Sequence, residues 1–223
     1  PPYRDLTEPD KDCYWSRGNG WAYMALARVM QFTPATESHR DTYAADFIAM
    51  SRGLKDCQRP DGSWSVSLAA PLNLGPAGSE GPEMTGTSLF VGGMAWGVRT
   101  GLLDADTYLP VIAAGWQSMA SAIHPDGKVG YLQGTGSSPE DGAPITYDTD
   151  PDFEDFGVGC WLWGAAEVHA LAAAIEEGQS VITSPAVTGT AGAYHDLLGR
   201  RIDHPVPGHI YIHRGRCVVY RLK

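Results

Sequence analysis

The sequence predicts an all-α fold of the α/α-toroid type, a double layer of helices, followed by a short β-type tail. Three observations predict it. Segments that are apolar nearly all round alternate with segments that are apolar on one face only. A Pro-Asp-Gly turn follows each of the one-faced segments, and a Gly-containing segment with polar or aromatic residues precedes each all-round one. In a double layer the inner helices touch neighbours on every side, whereas the outer helices keep one wet face.

Each element follows in order. Residues 21–32 carry only Arg28 and Gln31 as strongly polar positions, which predicts a helix buried on most sides. Residues 40–57 place Tyr43, Phe47, Met50 and Leu54 on one stripe, with charged residues between them. The alternation then repeats: 87–99 is apolar nearly all round, and 105–123 is one-faced through Tyr108, Ile112, Trp116, Met119 and Ile123. A third apolar helix is expected over 158–175. Arg59-Pro-Asp-Gly-Ser-Trp64 and His124-Pro-Asp-Gly-Lys128 set the turn 65 residues apart, an internal repeat. A solenoid stack of helical hairpins would have the same periodicity, because ring closure leaves no periodic trace.

Composition narrows the function classes. A chain of 223 residues with 43% hydrophobic residues can bury one sizeable core. Its formal net charge of −10, without a Lys/Arg cluster ahead of the tail, argues against nucleic acid as partner. A membrane span is not expected either, since the most apolar run, 158–175, is interrupted by Glu167 and His169. The chain starts at Pro1 without an initiator Met or signal peptide, so that end carries no compartment reading. Cys13, Cys57, Cys160 and Cys217 lack C-x-x-C spacing and read as small buried residues. The acidic stretch 148–155 fails the EF-hand pattern, with Phe153 in place of the turn Gly and Gly159 in place of the bidentate Glu. His204, His209 and His213 lack zinc spacing. No metal and no cofactor is expected.

The candidate site lies in three segments: Trp15-Ser-Arg-Gly-Asn-Gly20, Glu83-Met-Thr-Gly-Thr-Ser88 and Asp155-Phe-Gly-Val-Gly159. In an alternating ring the inner helices all start at one end, so these segments should share a rim. Helix N-termini there would favour an anion such as a sugar carboxylate. Arg17 supplies a planar fork for a carboxylate, Trp15 and Trp21 offer flat apolar faces to a sugar ring, and Asn19 adds a polar group. Thr87, Ser88 and Asp155 are further rim candidates. For Thr85, Thr87 and Asp155, helix capping is the plainer role.

These residues carry a resemblance. Trp15-Ser-Arg-Gly-Asn-Gly-Trp21 resembles the W-[AS]-R-G-N-G-W signature of glycoside hydrolase families 88 and 105, the unsaturated glucuronyl and rhamnogalacturonyl hydrolases. The Arg59, Glu83 and Asp155 segments follow in the family's order, so the likeness covers about 12 to 175, with Met84 and Thr85 departing from the pattern. The resemblance implies a six-hairpin α/α barrel, of which this chain would hold about the C-terminal half. It also implies that Arg17 and Trp21 line a pocket for an unsaturated uronate; Trp15 and Asn19 are substrate-binding candidates from their place in the same segment. The implied substrate is an oligosaccharide ending in that uronate, as in pectin and rhamnogalacturonan degradation. In the family an Asp protonates the 4,5 double bond and water adds at carbon 5; the hemiketal then opens and expels the aglycone. No cofactor is implied. The family's Asp precedes the Arg17 segment and matches none of Asp5, Asp10 or Asp12, so the catalytic residue is expected outside this chain. The missing N-terminal half, or a homo-oligomer, is then an expected partner. Another α/α-toroid glycosidase or lyase would instead need an acid/base pair bridging the rim, and a non-catalytic carbohydrate-binding or assembly module would need no acid.

After Glu177 the composition changes. Residues 1–177 read as the toroid part, 178–192 as a small-residue linker and 193–223 as a β-rich tail with Gly-Arg-Arg and Pro-Gly turns. The tail resembles the Y-x-D-L-x-G-R-R…G-x-Y-I…G-R-x-V-V end of many secreted Bacteroidetes proteins, with His195 interrupting the usual Tyr-Asp pair. It implies export to the periplasm or cell exterior; a hairpin packed on the toroid of a cytoplasmic protein is the alternative.

Overall fold

The structure is a computed structural model that describes residues 3–4, 12–68, 81–149, 154–177, 194–195, 201–205, 210–213 and 216–219. Five helices follow in chain order: α1 (Ser16–Phe32), α2 (Arg40–Asp56), α3 (Met84–Arg99), α4 (Ala105–Ser121) and α5 (Glu154–Glu176). Helices α1, α3 and α5 form an inner layer with α3 in the middle, while α2 packs outside α1 and α4 packs outside α3. The order of inner and outer helices is the one that periodicity predicts, but the helix expected to be buried on most sides over 21–32 is not. Helix α1 buries Gly20, Tyr23, Ala27 and Met30 and leaves Trp21, Val29 and Phe32 exposed, because α3 and α2 cover only part of its surface. Every residue of α3 from Met84 to Val98 is buried, whereas α2 buries chiefly Phe47, Ser51 and Leu54.

The inner helices start earlier than their apolar runs suggest. The three Gly-containing segments, expected as loops before the helices, are the first turns of α1, α3 and α5. Tertiary packing overrides the low helix propensity of glycine, because these helices approach too closely for side chains. A Cβ on Gly20 would lie 2.8 Å from Leu89 Cδ1, and one on Gly164 of α5 would lie 2.6 Å from the Ser88 main-chain oxygen of α3.

Aromatic contacts join the layers. The Tyr23 ring of α1 stacks on Phe47 of α2 at 4.5 Å between centroids, and its hydroxyl meets Ser51 Oγ at 2.6 Å. Burial pushes that phenol far above its ordinary pKa, so it stays neutral. Trp64 lies edge-on to Phe90 and donates its indole N–H to the Leu54 main-chain oxygen at 2.7 Å, joining the end of α2 to α3.

The two Pro-Asp-Gly turns are the same device. In each, the first residue donates its N–H to the fifth residue's carbonyl (Arg59 to Ser63, His124 to Lys128), and the glycine N–H donates back to the first residue's carbonyl. The Asp side chain accepts from the fifth residue's N–H, at 3.0 Å for Asp61 and 3.1 Å for Asp126. Gly62 and Gly127 take φ of 85° and 94°, the left-handed conformation that glycine adopts without penalty.

By length and composition α5 could cross a membrane. Here it packs along α3, and its buried Glu167 accepts from Arg99 at 2.7 Å, tying the end of α3 to the body of α5. Two short strands, β1 (Tyr3–Arg4) and β2 (Asp12–Cys13), pair ahead of α1. In the tail β3 (Tyr194–His195), β4 (Arg201–Ile202), β5 (Ile210–His213) and β6 (Arg216–Val219) form an antiparallel sheet of order β4-β3-β5-β6. The segment read as a linker, 178–192, lies outside the described residues, as do His209 and 150–153 of the acidic stretch.

Two glycine substitutions should separate packing from propensity. Gly164→Ala forces a methyl against the α3 backbone and should cost about 2–3 kcal/mol. Gly53→Ala, on the exposed side of α2 with nothing within 4 Å of the new Cβ, should gain about 0.5–1 kcal/mol. Urea unfolding of both variants checks the opposite signs.

Candidate substrate-binding site

The N-termini of α1, α3 and α5 meet at one end of the inner layer. Arg17, on the first turn of α1, is only 2% exposed. Its guanidinium carbon lies 4.6 Å from the Trp15 ring centroid and 5.3 Å from that of Phe156 on α5. Such aromatic faces attract a cation, more strongly where water is excluded. Arg17 Nη1 donates to the main-chain oxygens of Gln133 at 3.0 Å and Gly134 at 2.5 Å. Trp21 lies one turn further along α1, 6.4 Å from the Phe156 ring, and at 38% exposure forms the accessible edge of the cluster. Arg17 and Trp21 share a face because they are four residues apart on one helix.

The segment 131–134 runs across this end. Tyr131 takes φ of 58°, unusual for a non-glycine residue, and its main-chain oxygen accepts from Met84 N–H at 2.9 Å at the start of α3. Leu132 packs against the first turn of α5, where a Cβ on Gly157 would lie 3.1 Å from it. Gln133 and Gly134 then reach Arg17 on α1. Three consecutive steps of backbone thus touch all three inner helices.

The remaining sequence candidates are placed differently. Asn19 donates its amide to the Trp15 main-chain oxygen at 2.9 Å and lines a groove with Met50, Gly53 and Leu68. Two residues on from Arg17 is about 200° around a helix, so the two point apart. Thr87 Oγ1 accepts from Trp64 N–H at 3.0 Å, and Ser88 Oγ donates to the Met84 main-chain oxygen at 2.6 Å; both side chains are fully buried. They hold α3 and the Trp64 turn, and neither opens on the rim. Asp155 lies in the first turn of α5, with a side chain outside the described residues.

Glu83 changes the electrostatic reading. It is the N-cap of α3: its carboxylate accepts from Thr85 N–H at 2.7 Å and Gly86 N–H at 2.8 Å, from the Thr85 hydroxyl, and across to α1 from Ser16 Oγ at 2.9 Å. With Glu83 fully buried, the N-terminus of α3 already holds its own anion. The sequence expectation that every inner helix start could attract a substrate carboxylate therefore fails at α3, and the burden falls on Arg17. Cys160 is buried nearby, and burial together with the Glu83 carboxylate pushes its thiol up to about 12, against a smaller opposing effect of Arg17. It is a neutral packing group at physiological pH, as expected from its spacing.

Comparison with known proteins decides the family. The model of Glycosyl Hydrolase Family 88 matches residues 4–172. The chain belongs to glycosyl hydrolase family 88. It is 37% identical over 169 residues to the unsaturated 3S-rhamnoglycuronyl hydrolase of Formosa agariphila, covering 75% of this chain and 42% of that protein. A protein of the same description from an Alteromonas species is 31% identical over 155 residues, 70% of this chain and 35% of the relative. A family 88 structure from Bacteroides vulgatus superposes with a TM-score of 0.66 at 34% identity, covering 76% of this chain and 47% of that one. The chain thus spans less than half the length of these relatives. Its helical layers are part of an α/α toroid, the fold of family 88 and of its family 105 neighbours.

In this family 88 chain Phe156, Gln133 and Glu83 were not singled out as site residues from the sequence. Phe156 had a local signal, an aromatic within Asp-Phe-Gly at a predicted helix start. Gln133 had only its position beside a Gly-Thr-Gly run, and Glu83 is an acid followed by a helix.

Two measurements test the rim. Glu83→Gln keeps the shape but weakens a charged acceptor of four donors, and should cost about 2–3 kcal/mol in urea unfolding. Asp141 is held below the ordinary carboxylate range by the Ser137 and Ser138 main-chain N–H groups, with Arg17 adding to the effect. Because its folded pKa is lowered, its contribution is present above the ordinary carboxylate value and lost as pH falls through the lowered one. Exchange of the Ser137 and Ser138 amides, corrected for intrinsic rates, should therefore accelerate only below about pH 4.

Proposed function

We propose that the complete protein hydrolyses oligosaccharides ending in a 4-deoxy-4,5-unsaturated uronic acid, with Arg17 receiving the uronate carboxylate and Trp21 the face of the sugar ring. The carrying observation is the desolvated Arg17 guanidinium between Trp15 and Phe156, beside the half-exposed Trp21. A buried cation bounded by aromatic rings favours a planar anion attached to an apolar ring face. The family 88 relatives named unsaturated 3S-rhamnoglycuronyl hydrolases support an unsaturated uronate linked to rhamnose as the substrate class.

The reaction proposed is hydration. An Asp outside these residues protonates carbon 4 of the double bond, and water adds at carbon 5. The hemiketal so formed opens and releases the aglycone, so no glycosyl-enzyme bond is needed. This chain's contribution is binding and orientation, which lower the barrier by holding the unsaturated ring where the acid can reach it. Export of the protein is part of the same reading, supported by the tail's likeness to secreted Bacteroidetes termini.

The test uses an unsaturated uronyl-rhamnose disaccharide and follows loss of its ultraviolet absorbance. The complete protein should turn it over, and residues 1–223 alone should not; turnover by these residues alone would refute an acid outside them. Arg17→Ala in the complete protein should lower kcat/KM by roughly 2–4 kcal/mol of transition-state binding, and Arg17→Lys by less, because Lys keeps charge but loses the fork. Since Arg17 is buried and bonded to two carbonyls, Arg17→Ala should also lower Tm. Kinetics of Arg17→Lys at temperatures well below its Tm separate the two effects.

A further inference from the structure

The Gln133 side chain is fully buried, yet it is polar at both ends of its amide. Its Oε1 accepts from the Trp15 indole N–H at 2.9 Å. Its Nε2 donates to the main-chain oxygens of Pro139 at 3.0 Å and Asp141 at 2.9 Å. Its own main-chain oxygen accepts from Arg17. One residue therefore holds the ring on which Arg17 lies, one of the carbonyls to which Arg17 donates, and the far side of the loop 134–142.

That loop doubles back on itself. A Cβ on Gly142, at φ of 76°, would lie 2.5 Å from the Gly134 nitrogen, so the loop's two ends touch directly behind the Gly134 carbonyl that Arg17 uses. Without a link across its interior, such a loop has many backbone states to lose. The Gln133 amide is one such link, beside the Asp141 carboxylate that accepts from Ser137 and Ser138 N–H, and it is the one that ties the loop to the Trp15 ring. Only a primary amide of this length both accepts from an indole and donates twice to carbonyls. Glu would set its oxygens against two carbonyls, and Leu would deprive the partly buried Trp15 indole and Asp141 carbonyl and the buried Pro139 carbonyl of a hydrogen bond each.

We infer that Gln133 is a positioning residue of the candidate site: it fixes the Trp15 ring and the 134–142 loop so that the Arg17 guanidinium is presented to an anionic sugar in a single orientation. Its substrate role rests on the uronate-hydrolase reading above, whereas the placement of Arg17 does not. Two readouts keep these apart.

The first is independent of activity. In the complete protein, modification of Arg17 by phenylglyoxal, followed by peptide mass spectrometry, should be slow, and in Gln133→Leu it should rise by about tenfold or more, since three side-chain hydrogen bonds are lost and one alone is worth about a factor of ten. Exposed Arg28 and Arg201 should react equally in both. The second is kinetic. A merely structural defect lowers kcat/KM equally for the unsaturated uronide and its neutral methyl ester, whereas misplacement of Arg17 lowers it chiefly for the acid. Gln133→Leu should reduce the acid-over-ester preference about tenfold, with the change mainly in KM. Should Gln133→Leu fail to fold, Trp15→Phe keeps a ring beside Arg17 and removes only the indole donor; it should move both readouts in the same direction by about threefold. Unchanged Arg17 reactivity in a folded Gln133→Leu or Trp15→Phe protein overturns the inference. If the unmodified protein turns over neither substrate, the uronate reading fails, and the phenylglyoxal comparison still decides the positioning role.

Discussion

The Glu83 carboxylate closes the N-terminus of a helix that has almost no contact with solvent. A helix end exposes several unpaired N–H groups, and a buried one cannot leave them to water. In α3 the residue just before the helix supplies the acceptor, and its second oxygen takes the Ser16 hydroxyl of α1. One buried anion thereby caps the middle helix and sets its distance from the neighbour that carries Arg17. The register of α1 against α3 follows, and with it the close contact of Gly20 with Leu89.

That arrangement gives the rim its polarity. The α3 dipole and Glu83 satisfy each other, so the positive charge left to define a ligand site is carried by Arg17. It is enclosed by two aromatic rings and two main-chain carbonyls. Carbonyl partners fix a guanidinium without neutralising it, which is the property an anion-binding arginine needs. The 131–134 segment supplies those carbonyls while also bonding to the start of α3 and packing on the start of α5. The left-handed Tyr131 is the point where the chain leaves its pairing with Thr146 and turns across the rim. Strain at such a residue persists only where surrounding contacts over-determine it.

The far end of the inner layer is held differently. Arg99 and Glu167 pair between α3 and α5, and burial of the Glu167 carboxylate, beside a partly exposed Arg99, makes the link dependent on close geometry. The inner layer therefore has distinct chemistry along its length: a caged cation at the start of the inner helices and an ion pair where the end of α3 meets the body of α5.

Much of this was legible in the residues. All-round and one-faced apolarity named the order of inner and outer helices and the all-round burial of α3, but not the exposed face of α1, where Val29 and Phe32 have no covering neighbour among the described residues. The Pro-Asp-Gly turns were legible because their hydrogen bonds close within five residues, and the shared face of Arg17 and Trp21 because it follows from helical pitch. The start of each inner helix was misread as a loop, because glycine's local preference pointed away from helix while its packing value lay in another helix. Asn19 shares a contiguous motif with Arg17, but helix rotation turns it toward α2. Gln133 and Phe156 lie more than 110 residues from Arg17 in sequence, and no local pattern encodes a meeting over that separation. Sequence alone determined which segments are helical, which faces are apolar and which family the site resembles, because those depend on short-range periodicity and contiguous motifs. Only the tertiary structure decided which carbonyls, rings and carboxylates surround Arg17, because those contacts depend on the path of the whole chain.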